Sequence, residues 1–199
     1  VATGKEFLII AAPSLYLSST IKQIVNVPNI ADGSTVVAAL TKGFVPSNDG
    51  PKLVLETIEA ALPEVYKGQT VYISGPSHAE EVPGLMVYSS FDVVGVQICA
   101  AAKNVIAVVY GAFDAVAEHS QIFGDNSQSL LFAAGLNEIQ ALGMAMGATH
   151  PETFTSIAGV GDLDVTCKSE FGRNRRFGQD IIKTDILSNF KNIDDLIAN

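Results

Sequence analysis

Lys103 is the only charged residue between Val93 and Phe113, in a stretch otherwise almost entirely apolar. Helical spacing surrounds it with Cys99, Ala100, Ile106 and Ala107, side chains that would strip water from its ammonium. Desolvation disfavours the charged form, so the pKa of such a lysine falls toward the range useful for moving protons. A plainer use competes: the stem lies along an apolar stripe and the charge reaches solvent. Asn104 beside it is a second polar group that needs a partner.

The three arginines of the chain all fall within Gly172-Arg173-Asn174-Arg175-Arg176. Against a formal net charge of -9, that concentration points to an anion site. A guanidinium grips phosphate through paired donors, and Asn174 adds further ones. Surface ion pairing at a helix start is the competing use. It suits Arg175 and Arg176 better than Arg173 and Asn174.

Ala158-Gly159-Val160-Gly161-Asp162-Leu163 reads as a tight turn, with Thr166-Cys167 following. Two glycines ahead of an acid permit close backbone approach, and Asp162 either pairs with a lysine or caps the turn. Two more polar loops close apolar runs: Thr41-Lys42-Gly43 and Ser74-Gly75-Pro76-Ser77-His78-Ala79-Glu80-Glu81. Ligands of open α/β sheets bind outside the carboxyl ends of strands, which suits Lys42 to an anion or a carbonyl oxygen. A solvated loop lysine is the alternative. His78, His119 and His150, like Cys99 and Cys167, have no metal-ligand spacing, and the two thiols fit a reducing compartment.

The elements that must position these residues follow from periodicity. Short apolar runs predict strands at 7–12, 35–39, 70–74 and 86–90, with helices at 15–25 and at 51–62, Pro51 near the start of the latter. Alternating strands and helices specify a parallel α/β sheet. From residue 92 the pattern is helical only: about 92–116, 127–146, 151–157 and again after Arg175. The expected fold is therefore α/β. A doubly wound sheet domain (1–91) precedes an all-α domain (92–199). No G-x-G-x-x-G turn is present to cradle a pyrophosphate. Either the sheet binds no nucleotide, or the chain begins after that motif.

With 48% hydrophobic and 17% charged residues, the 199-residue chain suits one or two packed soluble domains. Its acidity argues against non-specific nucleic-acid binding and against an anionic membrane surface. Residues 93–113 are long enough to span a bilayer, but Lys103 and Asn104 at the centre would be costly in lipid. A buried helix is the expectation, without stable membrane insertion. Val1 opens directly into a loop-then-strand pattern rather than a signal peptide.

Taken in order, seven segments resemble the NAD(P)-dependent glycerol-3-phosphate dehydrogenases. They are Ala11-Ala12-Pro13-Ser14, Lys42-Gly43, Ser74 to Val82, and Lys103-Asn104-Val105-Ile106-Ala107. Gly124-Asp125-Asn126 comes next, then Gly161-Asp162-Leu163 with Thr166-Cys167, and Arg173-Asn174-Arg175 with Phe177-Gly178. The resemblance implies hydride transfer between NAD or NADP and the couple of sn-glycerol 3-phosphate and dihydroxyacetone phosphate. It also implies that 1–91 is the C-terminal part of a Rossmann-like doubly wound sheet and 92–199 an all-α substrate domain, in a cytoplasmic homodimer supplying glycerophospholipid precursor.

Under that resemblance Lys103 is the general acid–base, with Lys42 and Asp162 in the same polar site. Gly75, Ser77, Asn104, Gly172, Arg173 and Asn174 would contact substrate, Arg173 and Asn174 holding the phosphate. Pro13, Lys42, Ala79 and Arg173 would meet the cofactor, and no metal is implied. Gly172 departs from the serine usual there, and Val82-Pro83-Gly84-Leu85 looks shortened. Two other readings remain: a β-hydroxyacid or 6-phosphogluconate-type dehydrogenase, and a non-catalytic dimerisation or binding module derived from one. The Arg173-Asn174 pair separates the first from the main reading.

Overall fold

Three short apolar runs pair side by side. The computed structural model describes residues 2–76, 87–120, 122–184 and 190. Strands β1 (Phe7–Ile10), β2 (Val36–Ala39) and β3 (Val71–Tyr72) form a parallel sheet in the order β1-β2-β3. Its register places Ile10 opposite Ala39 and Ala39 opposite Tyr72. Helices α1 (Leu17–Ile24), α2 (Pro28–Ala31) and α3 (Val54–Ala61) connect the strands. Side chains alternate faces along a strand. Ile10, Val37 and Ala39 thus join Leu17, Ile21, Val54 and Ile58 in one core, while Phe7, Ile9, Val36 and Val71 of the other face are exposed.

Beyond residue 91 every regular element among the described residues is helical. These are α4 (Val93–Ala117), α5 (Asp125–Ala145), α6 (Asp162–Lys168) and α7 (Arg173–Lys183), with a 3-10 turn at Pro151–Thr155. Among the described residues α4 is the one helix long and apolar enough to cross a membrane. Here it is a core helix. Packed against α5, α6 and α7, it encloses Ile98, Ala100, Ala107 and Ala115 completely.

Gln97, a polar interruption in that apolar stretch, has a structural use. Its Oε1 accepts from the backbone N–H of Leu55 at 2.9 Å, satisfying one of the orphan donors in the first turn of α3. Its Nε2 donates to the Val93 carbonyl at 3.1 Å. The sheet layer and the helical layer are thereby joined by a buried hydrogen bond. At the start of α4, Asp92 accepts from Gly95 N at 3.1 Å and from Thr149 N at 3.0 Å. It caps its own helix and ties down the chain that follows α5.

Helix α7 lies unusually close to α4. A Cβ at Gly178 would overlap the Val108 carbonyl oxygen, and one at Gly111 would overlap the Arg175 carbonyl oxygen. Each glycine admits the backbone of the other helix. The Arg173–Asn174 end of α7 is thereby fixed beside the Lys103–Asn104 turn.

Four expectations need correction. Residues 87–90 form no strand, and Met86 lies outside the described residues. Helix α3 begins at Val54 rather than near Pro51, because Lys52 is taken by an antiparallel bridge to Val45. The helix expected at 15–25 divides into a 3-10 turn, Ser14–Tyr16, followed by α1. The glycine turn before Asp162 is helical: a π-helical turn, Ile157–Gly161, runs directly into α6. Ser156 starts it by accepting from Ala158 N at 3.2 Å. Gly159 is needed there because a Cβ would overlap the Phe154 backbone.

The glycine contact between α4 and α7 makes a direct prediction. Gly178→Ala forces the helices apart and should cost about 1–3 kcal/mol or more of stability. Chemical denaturation measures it; an unchanged midpoint would show that the contact is loose.

Candidate active site

Asp162, the first residue of α6, is 2% exposed and faces Lys103 of α4, itself 5% exposed. Asp162 Oδ1 lies 2.5 Å from Lys103 Nζ, and Oδ2 lies 3.7 Å from Lys42 Nζ. A buried ammonium is tolerated only when a carboxylate is fixed against it. The helical continuation from Gly161 into Asp162 does that fixing, and Thr166 Oγ1 donates to the Asp162 carbonyl oxygen at 2.6 Å. Among the described residues Asp162 Oδ2 has no hydrogen-bond partner although it is buried.

Burial pulls Lys103 down from 10.5 to about 8, the opposite pull of Asp162 notwithstanding, and the Lys42 cation acts in the same direction as burial. Other groups here are displaced away from reactivity. Burial pushes the Cys99 and Cys167 thiols up to about 12, and it raises the Tyr72 hydroxyl as well. Both thiols are unbridged.

Lys42 arrives from the sheet. Thr41 Oγ1 donates to the Ala12 carbonyl at 2.7 Å, and Tyr72 Oη donates to the Thr41 carbonyl at 3.0 Å. These bonds lace together the carboxyl ends of the three strands and present Lys42 toward α6. Gly75, in the loop after β3, closes the cluster: a Cβ there would meet both Asp162 Oδ1 and Lys42 Nζ. A larger residue there would displace the Asp162 carboxylate and the Lys42 ammonium from these positions.

The cluster lines a cavity of about 220 Å³ with Val165, Thr166, Ser169, Phe171, Gly172, Arg173 and Asn174. That is below the roughly 300–1,000 Å³ of pockets for drug-sized ligands, and it suits a small metabolite. The start of α7 also lines the cavity; the first turn of this helix holds no acidic residue, and its N-cap, Gly172, supplies no side-chain bond. Its first-turn N–H groups, which have no acceptor within the helix, add to the donors that Arg173 and Asn174 present there. Asn174 Nδ2 donates to Asn104 Oδ1 at 2.8 Å, tying the anion end to the residue after Lys103.

The structure thus gathers Lys42, Lys103, Asp162, Gly172, Arg173 and Asn174 around one cavity, with Asn104 and Gly75 directly behind it. Pro13 is exposed at the end of β1, and it does not line the cavity. Ser77 and Ala79 lie outside the described residues, as does the altered stretch 82–85. Sequence reasoning missed Val165, Ser169 and Phe171 and left Thr166 unassigned. Asp162, Val165, Thr166 and Ser169 follow the i, i+3, i+4, i+7 spacing of one helix face. Reading the glycine segment as a turn hid that signal.

Comparison with known proteins identifies the family. The family model for the NAD-dependent glycerol-3-phosphate dehydrogenase N-terminus matches residues 1–88, and that for the C-terminus matches residues 92–197. A glycerol-3-phosphate dehydrogenase (NAD(P)+) from Treponema denticola is 49% identical over 232 residues, covering 100% of this chain and 65% of the relative. One from Treponema pallidum strain Nichols is 47% identical over 234 residues, with 100% and 66% covered. The chain therefore spans about two thirds of the length of these curated relatives. The first alignment runs over 232 positions against the 199 residues here, so that relative carries internal residues that this chain lacks. A solved glycerol-3-phosphate dehydrogenase from Coxiella burnetii superposes with a TM-score of 0.75 at 27% identity, covering 96% of this chain and 64% of that one.

The electrostatics of the cluster can be tested without any substrate. Asp162→Asn removes the attraction that holds the Lys103 proton while leaving the desolvation, so Lys103 should titrate below 8; Lys42→Met should move it upward. An NMR titration of the lysine side-chain amines reads both. A Lys103 that titrates near 10.5 in the unaltered protein would contradict the assignment.

Proposed function

The chain belongs to the NAD-dependent glycerol-3-phosphate dehydrogenase family, and from that premise we propose that its protein interconverts sn-glycerol 3-phosphate and dihydroxyacetone phosphate, using NAD(H) or NADP(H). The observation that carries the proposal is the Lys103–Asp162 pair, buried in the wall of a small cavity that the Arg173–Asn174 turn also lines. A proton donor and an anion grip around one such cavity match a phosphorylated ketone. The phosphate meets Arg173, Asn174 and the N–H groups of α7, and the carbonyl oxygen faces Lys103.

Nicotinamide, when bound, supplies or accepts the hydride. The residues present fit it at the carboxyl edge of the sheet, where the loops after β1 and β2 draw together. Gly43 has a φ of +108° there, and a Cβ on it would lie 3.4 Å from Ser14 Oγ. Pro13, Lys42 and Arg173 border that edge and would hold the cofactor, along with Ala79.

In the reductive direction Lys103 gives its proton to the substrate carbonyl oxygen as negative charge develops there. In the oxidative direction it takes that proton back. An amine of pKa about 8 does both near neutrality. Asp162 orients the ammonium, and Lys42 adds a second positive charge beside the developing alkoxide. Gly75, Ser77, Asn104 and Gly172 complete the substrate surroundings.

The proposal extends to a cofactor-binding unit at 1–91 and a substrate-binding unit at 92–199, in a cytoplasmic homodimer that serves glycerophospholipid synthesis. The unbridged thiols support a reducing compartment.

Two substitutions in the full-length protein separate the roles. Lys103→Met should lower kcat by about a hundred- to ten-thousand-fold with a much smaller change in KM. Arg173→Ala should raise KM for dihydroxyacetone phosphate about ten- to a hundred-fold. Steady-state kinetics measures both. Full turnover without Lys103 would refute its chemical role.

A further inference from the structure

The arginines at the start of α7 are not equivalent. Arg173 lines the cavity, whereas Arg175 does not. Arg175 Nε donates to Asp114 Oδ2 at 2.5 Å, and its Nη1 donates to the Lys168 carbonyl oxygen at 2.9 Å. Asp114, whose side chain is 9% exposed, is a junction of three helices. Gln128 of α5 donates to its Oδ1 at 2.8 Å, and Gln179 of α7 donates to its Oδ2 at 3.3 Å. The Tyr110 hydroxyl donates in turn to Gln128 Oε1 at 3.1 Å, which fixes the amide.

This junction bears on the cavity through Lys168. That residue ends α6, and the loop after it supplies Ser169, Phe171 and Gly172 to the cavity wall. No residue from 168 to 173 is buried, so apolar packing does not hold the loop. Polar ties hold it instead: Ser169 N to the Val165 carbonyl at 3.0 Å, Gly172 N to the Ser169 carbonyl at 3.1 Å, Arg175 to the carbonyl of Lys168 at 2.9 Å, and, at the longer distance of 3.5 Å, Arg176 Nη2 to the carbonyl of Phe171. Helix α7 itself is independently anchored to α4 by Gly178 and by the Asn104–Asn174 bond. Breaking the Arg175 tie removes the shorter of the two arginine bonds to this segment and so loosens the loop without releasing the helix.

We propose that Arg175, aimed by Asp114, is a positioning residue for phosphate recognition. It fixes the 169–172 loop against the first turn of α7 and so sets the spacing in which Arg173 and Asn174 meet the phosphate. The proposal rests on the phosphate-binding reading of Arg173 and Asn174 given above.

Charge and geometry predict opposite outcomes, which makes the test sharp. Asp114→Asn removes a negative charge near the anion site. If Arg175 and Asp114 acted only through their field, phosphate binding would tighten; as a positioning pair, it weakens. Arg175→Lys keeps the charge but cannot reach Asp114 and the Lys168 carbonyl together with a planar fork. It therefore does not restore binding.

In the full-length protein, both variants should raise KM for dihydroxyacetone phosphate about five- to twenty-fold and leave kcat within about two-fold. They should weaken inorganic phosphate, followed by calorimetry, in parallel, and Arg173→Ala is measured beside them. If Arg173→Ala weakens phosphate while the two variants do not, the positioning role is overturned and the phosphate reading stands. If Arg173→Ala has no effect either, the phosphate reading itself fails. A lowered melting temperature with unchanged KM and phosphate affinity assigns the junction to stability alone and also overturns the proposal.

Discussion

An ammonium as enclosed as that of Lys103 keeps its proton near neutrality only because a carboxylate is held against it. Neither partner is tolerable alone in the interior, and the two come from helices about sixty residues apart in the chain. The fold must therefore bring α6 onto α4 with little freedom. It uses the direct passage from the π-helical turn into α6, the Gly159 contact with the Phe154 backbone, and the room that Gly75 leaves in the sheet loop. Burial then outweighs the attraction of the partner and brings the amine to about 8. A surface lysine with the same partner would not be shifted this way.

The Arg173–Asn174 turn is held by the same helix. Lys103 and Asn104 are consecutive, so α4 presents the buried amine and the tie to Asn174 from one turn. Close approach of α7 through Gly111 and Gly178 gives that tie its length. One rigid helix thus sets the spacing between Lys103 and the Arg173–Asn174 turn, and in the proposed reaction geometry of this kind is a large part of what a site contributes. Gln97, two turns earlier on α4, links the same helix to the sheet that bears Lys42.

Much of this was legible in the residues. A lone charge in an apolar stretch and three arginines in four positions are local contrasts that survive without knowledge of contacts, and they led to Lys103 and Arg173. The strand ends placed Lys42 and Gly75 at the correct edge by a rule of topology. What escaped depends on tertiary approach. Two glycines ahead of Asp162 suggest a turn by propensity, yet Gly159 is required by a neighbouring backbone within a helix. Misreading that segment hid the helix face that carries Val165, Thr166 and Ser169 to the cavity. Asp114, one residue beyond the apolar stretch, gave no signal of its own, because its donors come from α5 and α7.

The central claim is that Lys103 exchanges a proton with the substrate oxygen in both directions. The most direct measurement is kcat/KM against pH for reduction and for oxidation in one buffer series, because this quantity reports the ionisation of the free enzyme. Reduction needs the ammonium, so its rate should fall as pH rises through about 8; oxidation needs the neutral amine, so its rate should rise through the same value. Mirror-image profiles that cross near that pH are the predicted result. Parallel profiles, or profiles that survive unchanged in Lys103→Met, would contradict the account.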